Sequence, residues 1–379
     1  MKRRDFIRYI GVGAAALAIV PDKIFAQDII VAQPYKSGSL NLSFKPYQLD
    51  LIHTFTVSKN SRKHTPDVLV FLEYDGVIGY GEASMPPYLG ETVDSVCRFL
   101  SRLDLSQFTD PFRMEEILEY VDKTAEGNRA AKASIDIALH DLVGKLIGKP
   151  WWKIWGLTPE KAPCTSFTIG IDIPEIIRQK VDEAEPYKVL KVKVGVPNDK
   201  LLIETIRTKT DKPICVDANE GWSNKEEALE MAYWLAERGC IFIEQPFHKS
   251  MLDETAWLRE RSPLPIVADE FLQRIDDVPR AYGAYDAINI KLMKSTGMHE
   301  AYQMAAAAKA MGMKLMIGCM TETSCAISAA AQLSPMCNWA DLDGNLLISN
   351  DCYDGVKIID GRITLNERPG IGILEKSNT

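Results

Sequence analysis

From about residue 160 onward the chain repeats one pattern, a short apolar run followed by a polar, helix-like stretch. The runs read SFTIGI, VLKVKVG, PICVDAN, CIFIEQP, PIVADE, AINIKL and KLMIGC, with NWADLDG as a candidate eighth. Stretches such as KEEALEMAYWLAERG and MHEAYQMAAAAKAMG lie between them. Strands that alternate with amphipathic helices form a parallel sheet with right-handed crossovers. This number of units predicts a closed α/β barrel. An open doubly wound sheet is the alternative. It usually carries a glycine-rich turn after its first strand, and no G-x-G-x-x-G or Walker loop follows any run here.

The barrel is assigned to residues 156–344 and an α+β capping domain to 27–155. In the latter, DVLVFLEYDGVIGY places two apolar runs around an Asp-Gly turn and predicts a hairpin. AAKASIDIALHDLVGKLIG carries apolar residues at helical spacing and ends at a glycine. The tail, 345–379, contains a second Asp-Gly hairpin, VKIIDGRITL, and is expected to pack back on the cap. Residues 1–26 read as an export leader. The adjacent Arg3 and Arg4 precede an apolar stretch from Ile10 to Val20, in the manner of a twin-arginine signal, with cleavage expected after Ala26. A periplasmic location follows, or a cytoplasmic one if the leader does not function. No later segment reads as a membrane span. The net charge of −8 argues against a nucleic-acid partner. None of the eight cysteines forms a C-x-x-C pair, which argues against a zinc or disulfide framework.

Five charged residues fall at or near the ends of successive runs: Lys193, Asp217, Glu244, Asp269 and Lys291. They are separated by 24, 27, 25 and 22 residues, close to one strand–helix unit each. In a parallel barrel all strand C-termini share one face, so these side chains converge on one mouth. Singly, each acid reads as a solvated strand end. Three in register between two lysines call for a hard divalent cation with oxygen ligands, for which magnesium is suited. Lys191 and Lys193 face the same side of their strand, with Leu190, Val192 and Val194 facing the helices. Two neighbouring ammonium groups are expected to depress at least one pKa and yield a usable base. Lys291 stands across the mouth, so a bound carbon can lose a proton on one face and regain it on the other. Lys294 reads as a solvated or supporting residue.

The set Lys191-Val-Lys193, Asp217-Ala-Asn219, Glu244-Gln-Pro246, Asp269-Glu270 and Asn289-Ile-Lys291 resembles the muconate-lactonizing subgroup of the enolase superfamily. The resemblance spans nearly the whole mature chain. It implies a (β/α)7β modified TIM barrel with an α+β capping domain. It also implies one magnesium ion per subunit on Asp217, Glu244 and Asp269, with Lys193 and Lys291 as the acid/base pair. The metal would take a substrate carboxylate and stabilise the enediolate formed on deprotonation. Asn219 is expected to support the metal ligands, and Glu270 to point away from them.

Within the subgroup, Asp341-Leu-Asp343 resembles the Asp-x-Asp pair with which dipeptide epimerases hold a substrate ammonium. The expected activity is inversion of the C-terminal residue of a small dipeptide, L-Ala-D-Glu to L-Ala-L-Glu, by two-base 1,1-proton transfer, suited to breakdown of cell-wall peptides. Epimerisation of other dipeptides and an o-succinylbenzoate synthase or cycloisomerase-type reaction remain the alternatives. Homo-oligomerisation is left open. Lids are expected over 57–66 and 84–92. Arg62, with Lys191, is a candidate for a side-chain carboxylate, and otherwise reads as part of a solvated basic loop. Thr168, Cys319, Met320 and Glu322 are further candidates for the pocket wall. None of the five histidines falls at a barrel strand end, which sets the chain apart from the branch that uses a histidine base.

Overall fold

The computed structural model describes residues 28–57 and 60–376, so the expected leader lies outside the described residues. The first domain holds an antiparallel sheet of β1 (Ile30–Val31), β2 (Asn41–Val57), β3 (Asn60–Tyr74) and β4 (Val77–Ser84), in that spatial order. The β3–β4 turn is made by Asp75 and Gly76, both at positive φ, the backbone that an Asp-Gly pair adopts most easily. Val68, Val70 and Leu72 alternate into the core. The helix Arg129–Ile147 lies against this sheet and stops at Gly148, which takes the left-handed conformation at φ 74. Two glycines of β4 allow the close approach. A Cβ on Gly79 would stand 2.1 Å from the carbonyl oxygen of Ala138, and one on Gly81 2.0 Å from that of Ser134.

The second domain is an eight-stranded parallel sheet running β5 (Ser166–Ile169), β6 (Val189–Lys193), β7 (Ile214–Asp217), β8 (Cys240–Glu244), β9 (Ile266–Ala268), β10 (Ala287–Ile290), β11 (Lys314–Gly318) and β12 (Trp339–Asp341). Each strand neighbours the next in sequence, and a parallel bridge between Thr165 and Ala340 brings the last back to the first. A helix separates every consecutive pair, which gives the (β/α)7β order. Leu190 and Val192 are fully buried, on the face opposite Lys191 and Lys193. The lower barrel interior is filled by Cys215, Phe242, Val267, Ala287 and Met316.

Two features lock the domains together. Asp136, on the long cap helix, accepts from the amides of Met298 (2.5 Å) and His299 (3.2 Å), at the N-terminus of the barrel helix Met298–Ala310. Glu82, at the cap side of β4, accepts from the amides of Thr323 (2.6 Å) and Ala326 (3.1 Å), where the helix Ser324–Ala331 begins. The tail returns to the cap: Tyr353 packs on Tyr80, and the Ile371 amide donates to Asp141. The predicted Asp360-Gly361 hairpin is present. It docks on the foot of the barrel instead, where Thr165 N donates to Gly361 O at 2.8 Å. Among the described residues no helix is long and apolar enough to cross a membrane.

Candidate active site

The strand ends bring the three acids together. One carboxylate oxygen from each of Asp217, Glu244 and Asp269 lies within 4.8 Å of the others, and all three residues are buried. Burial, and next the Asp217 charge, push the Glu244 carboxyl up to about 7. Burial also works against Asp217, but Lys193 and Lys191 outweigh it and hold that carboxyl at about 2. Asn289 donates to Glu244 Oε1 at 2.7 Å. Lys191 Nζ lies 2.9 Å from Glu244 Oε2, which accepts no hydrogen bond. An acid pushed up by its neighbours' negative charge gains from a cation placed among them. The donor set is all oxygen, as a hard divalent ion requires. These residues therefore fit magnesium.

The lysines stand on opposite sides of the triad. Lys193 Nζ donates to Asp217 Oδ2 and Lys291 Nζ to Asp269 Oδ2, each at 2.7 Å. Lys193 ends β6 and Lys291 follows β10, four strands on. The expected depression of an ammonium in the Lys191–Lys193 pair is not what Lys191 shows. Burial disfavours its charge, but Asp341, Glu244, Asp217 and Asp269 hold it well above the usual lysine value. Lys291 is raised as well, Asp269 overcoming the cost of burial. The lowered lysine is Lys294, by burial and by the Lys291 charge, against Asp269. Lys294 is buried rather than solvated. It donates to Asp269 Oδ1 and to the Asp269 carbonyl, both at 2.6 Å, and so fixes that carboxylate.

Other expectations are altered by the local backbone. Strand β7 ends at Asp217, and Asn219 and Glu220 form a left-handed turn. Asn219 supports Asp217 through its backbone amide at 3.0 Å, while its side chain donates to Glu270 Oε1 at 3.0 Å. Glu270 therefore does not point away. It is buried at the mouth, where burial and Asp269 push it up to about 8.

The Asp341–Asp343 segment is pinned by β5. Ser166 Oγ and Lys191 Nζ both donate to Asp341, each at 2.7 Å. The Thr168 amide donates to Asp343 Oδ2 at 2.8 Å, so Thr168 contributes its backbone to this site. Burial, and then the Asp341 charge, raise Asp343 to about 7. Asp341 is occupied by Lys191, which leaves Asp343 as the acid with capacity for a further cation. Lys191 thus sits between the triad and this pair, within 3.0 Å of Asp217, Glu244 and Asp341. Cys319 is buried where the backbone of Gly344 packs on it. Glu322 turns back to accept from the Met320 amide at 3.1 Å, and burial and Glu82 push it up to about 8.

The segment 57–66, expected as a lid, takes the form of a β-hairpin. Asn60–Pro66 belongs to β3, paired with β2, and residues 58 and 59 lie outside the described set. Arg62 reaches the barrel from this hairpin and donates to Thr321 Oγ1 at 3.1 Å. It is not part of a solvated loop: burial, against the nearby Tyr88, lowers its guanidinium. The segment 84–92 crosses the mouth as a short 3-10 turn, Pro87–Leu89. Sequence reading did not find Tyr88 there, a lone aromatic in a loop with no periodicity to mark it.

Comparisons with known proteins agree with this geometry. Residues 48–156 match the mandelate racemase / muconate lactonizing enzyme N-terminal domain, and residues 174–375 the family described as enolase C-terminal domain-like. The chain is 55% identical over 379 residues to the L-Ala-D/L-Glu epimerase of Bacteroides thetaiotaomicron, covering 98% of this chain and 99% of that protein. It is 39% identical to the L-Ala-D/L-amino acid epimerase of Pedosphaera parvula, covering 87% and 97%. Among solved structures it resembles the substrate-liganded L-Ala-D/L-Glu epimerase of Bacillus subtilis (TM-score 0.83, 26% identity, 89% and 99% coverage). It also resembles the Enterococcus faecalis dipeptide epimerase complexed with Mg and L-Leu-L-Tyr (TM-score 0.82, 30% identity, 88% and 98% coverage). With both domain types matched in order and the acid triad ringed at the barrel mouth, the chain belongs to the mandelate racemase / muconate lactonizing enzyme family of the enolase superfamily.

Proposed function

We propose that this protein is a magnesium-dependent dipeptide epimerase, an isomerase that inverts the α-carbon of the C-terminal residue, with L-Ala-D-Glu and L-Ala-L-Glu as its substrate pair. The observation that carries the reading is the pair of lysines, each 2.7 Å from a different carboxylate of one buried triad, on opposite sides of the mouth. Asp217, Glu244 and Asp269 would hold the divalent cation, which would supply positive charge for a substrate carboxylate and would compete with the two ammonium groups for Asp217 and Asp269. Lys193 and Lys291 then act in turn. One, neutral, takes the α-proton, and the other, charged, returns a proton to the opposite face. Asp343 holds the substrate ammonium, and Lys191 and Ser166 keep Asp341 in place beside it. The ammonium site favours a dipeptide over a dicarboxylate of the cycloisomerase type, because a second carboxylate there would meet Asp343.

Proton exchange in D2O separates the steps. The intact enzyme should wash deuterium into the α-position of both epimers, lose this activity with a chelator and regain it with Mg2+. Lys193→Ala and Lys291→Ala should each abolish inversion, while each retains exchange from one epimer only, and not the same one. Exchange from both epimers in either variant would rule out the two-base assignment.

For location, we propose export to the periplasm, which would give access to peptides released from the cell wall. The support is the Arg3-Arg4 pair followed by the apolar stretch Ile10–Val20. Fractionation of cells carrying the full chain should recover it from the periplasm, and Arg3→Lys/Arg4→Lys should retain it in the cytoplasm. An unchanged distribution would discard the twin-arginine route.

A further inference from the structure

Two side chains of the cap converge on one spot above the triad. Arg62, from β3, donates to Thr321 Oγ1 at 3.1 Å. Tyr88, from the turn Pro87–Leu89, directs its hydroxyl to Met320 Sδ at 3.5 Å. Met320 and Thr321 are consecutive residues just beyond β11, so donors from two separate cap segments meet at adjacent positions of the barrel rim. Tyr88 as a whole is 45% exposed, yet its hydroxyl end lies in the field of Lys291, Asp269, Glu270 and Asp217. A phenol keeps its proton up to a pH of about 10, so this hydroxyl is a donor at neutral pH.

A thioether is a weak acceptor. A phenol resting on one gains when a charged oxygen takes its place, because a hydrogen bond to an ionised acceptor is roughly twice as strong as a neutral one. The remaining directions at the mouth are already assigned. The substrate carboxylate lies toward the triad, the ammonium toward Asp343 beyond β12, and the α-carbon between Lys193 and Lys291. The side chain on that carbon is left to point up, toward the cap.

We propose that Tyr88 is a specificity-determining residue whose hydroxyl, together with Arg62, binds a carboxylate at the end of the side chain of the residue being inverted. The proposal rests on the epimerase reading and adds to it a second donor, supplied by the turn that crosses the mouth.

Tyr88→Phe keeps the ring and removes only the donor. The magnesium-loaded wild type and variant are compared on L-Ala-L-Glu and L-Ala-L-Met, following α-proton exchange in D2O by NMR. The ratio of kcat/KM for the acidic over the neutral dipeptide should fall about tenfold, mainly through KM for L-Ala-L-Glu, as expected for loss of one hydrogen bond to a charged group. Arg62→Met should lower the same ratio. An unchanged ratio in Tyr88→Phe overturns the proposal. So does an equal loss on both dipeptides, which would assign the residue to packing of the turn. Wild type that exchanges only the neutral dipeptide removes the acidic ligand while leaving the epimerase reading intact. Wild type that exchanges neither removes that reading and this proposal with it.

Discussion

At the scale of single residues, the mouth is organised by which charge each carboxylate already has. Asp217 and Asp269 carry lysines, Asp341 carries Lys191, and Asp343 accepts an amide hydrogen bond from Thr168. That difference gives Asp343 a measurable signature. Burial and Asp341 raise it to about 7, so it loses its charge as pH falls through neutrality, while a substrate α-ammonium remains protonated below its own value of about 8. KM for a dipeptide should therefore rise as pH drops from 8 to 6. Asp343→Asn should raise KM about tenfold or more at pH 8, the consequence of losing a charged acceptor, and should flatten that pH dependence. A variant with wild-type KM would remove Asp343 from ammonium binding. The same scale shows where a sequence is silent. Lys294 and Glu270 each stand beside a residue singled out by position, but their partners, Asp269 and Asn219, come from other strands or turns. The three-residue step from Lys291 to Lys294 was the available signal, since a turn after the strand returns both to Asp269.

Elements meet across the domain boundary through buried carboxyls. Glu82 on β4 accepts the first amides of the helix Ser324–Ala331, an acid supplied by one domain to the helix dipole of the other. Beside it Asp67, on β3, is fully buried, and its Oδ2 accepts no hydrogen bond from a fixed donor. Burial, then the Glu82 charge, raise Asp67 well above 3.8, and Glu322 acts in the same direction. Burial raises Glu82 as well, against the hydrogen bonds it receives from Asp67 and Thr323. A proton kept on Asp67 thus joins the two acids. Carboxyls whose folded values exceed their unfolded ones stabilise the fold fully below the unfolded values, near 4, and lose that contribution as pH rises through the folded values. The melting temperature should accordingly decline from mildly acidic toward alkaline pH. Asp67→Asn, which can donate to Glu82 without titrating, should reduce the decline and melt higher than wild type at pH 8. Equal slopes, followed by calorimetry across that range, would show that the pair does not govern it.

For the molecule as a whole, the alternation of apolar runs and helical stretches determined the barrel, because strands feeding right-handed crossovers close in one direction only. The Asp-Gly pairs at 75–76 and 360–361 determined their turns, since few other residues accept positive φ twice in succession. Spacing by one strand–helix unit determined that Lys193, Asp217, Glu244, Asp269 and Lys291 would share a rim, as strand C-termini in a parallel barrel have no other place to go. Tertiary structure decided what depends on contacts between distant segments. It set which lysine burial would lower, how Asn219 turns toward Glu270, and that Arg62 sits on a strand rather than in a free loop. It also brought Arg62 and Tyr88, 26 residues apart, over the same corner of the mouth. Periodicity is a local property that a sequence displays directly, whereas a pKa or a rim contact depends on neighbours that only the closed barrel and its cap bring within reach.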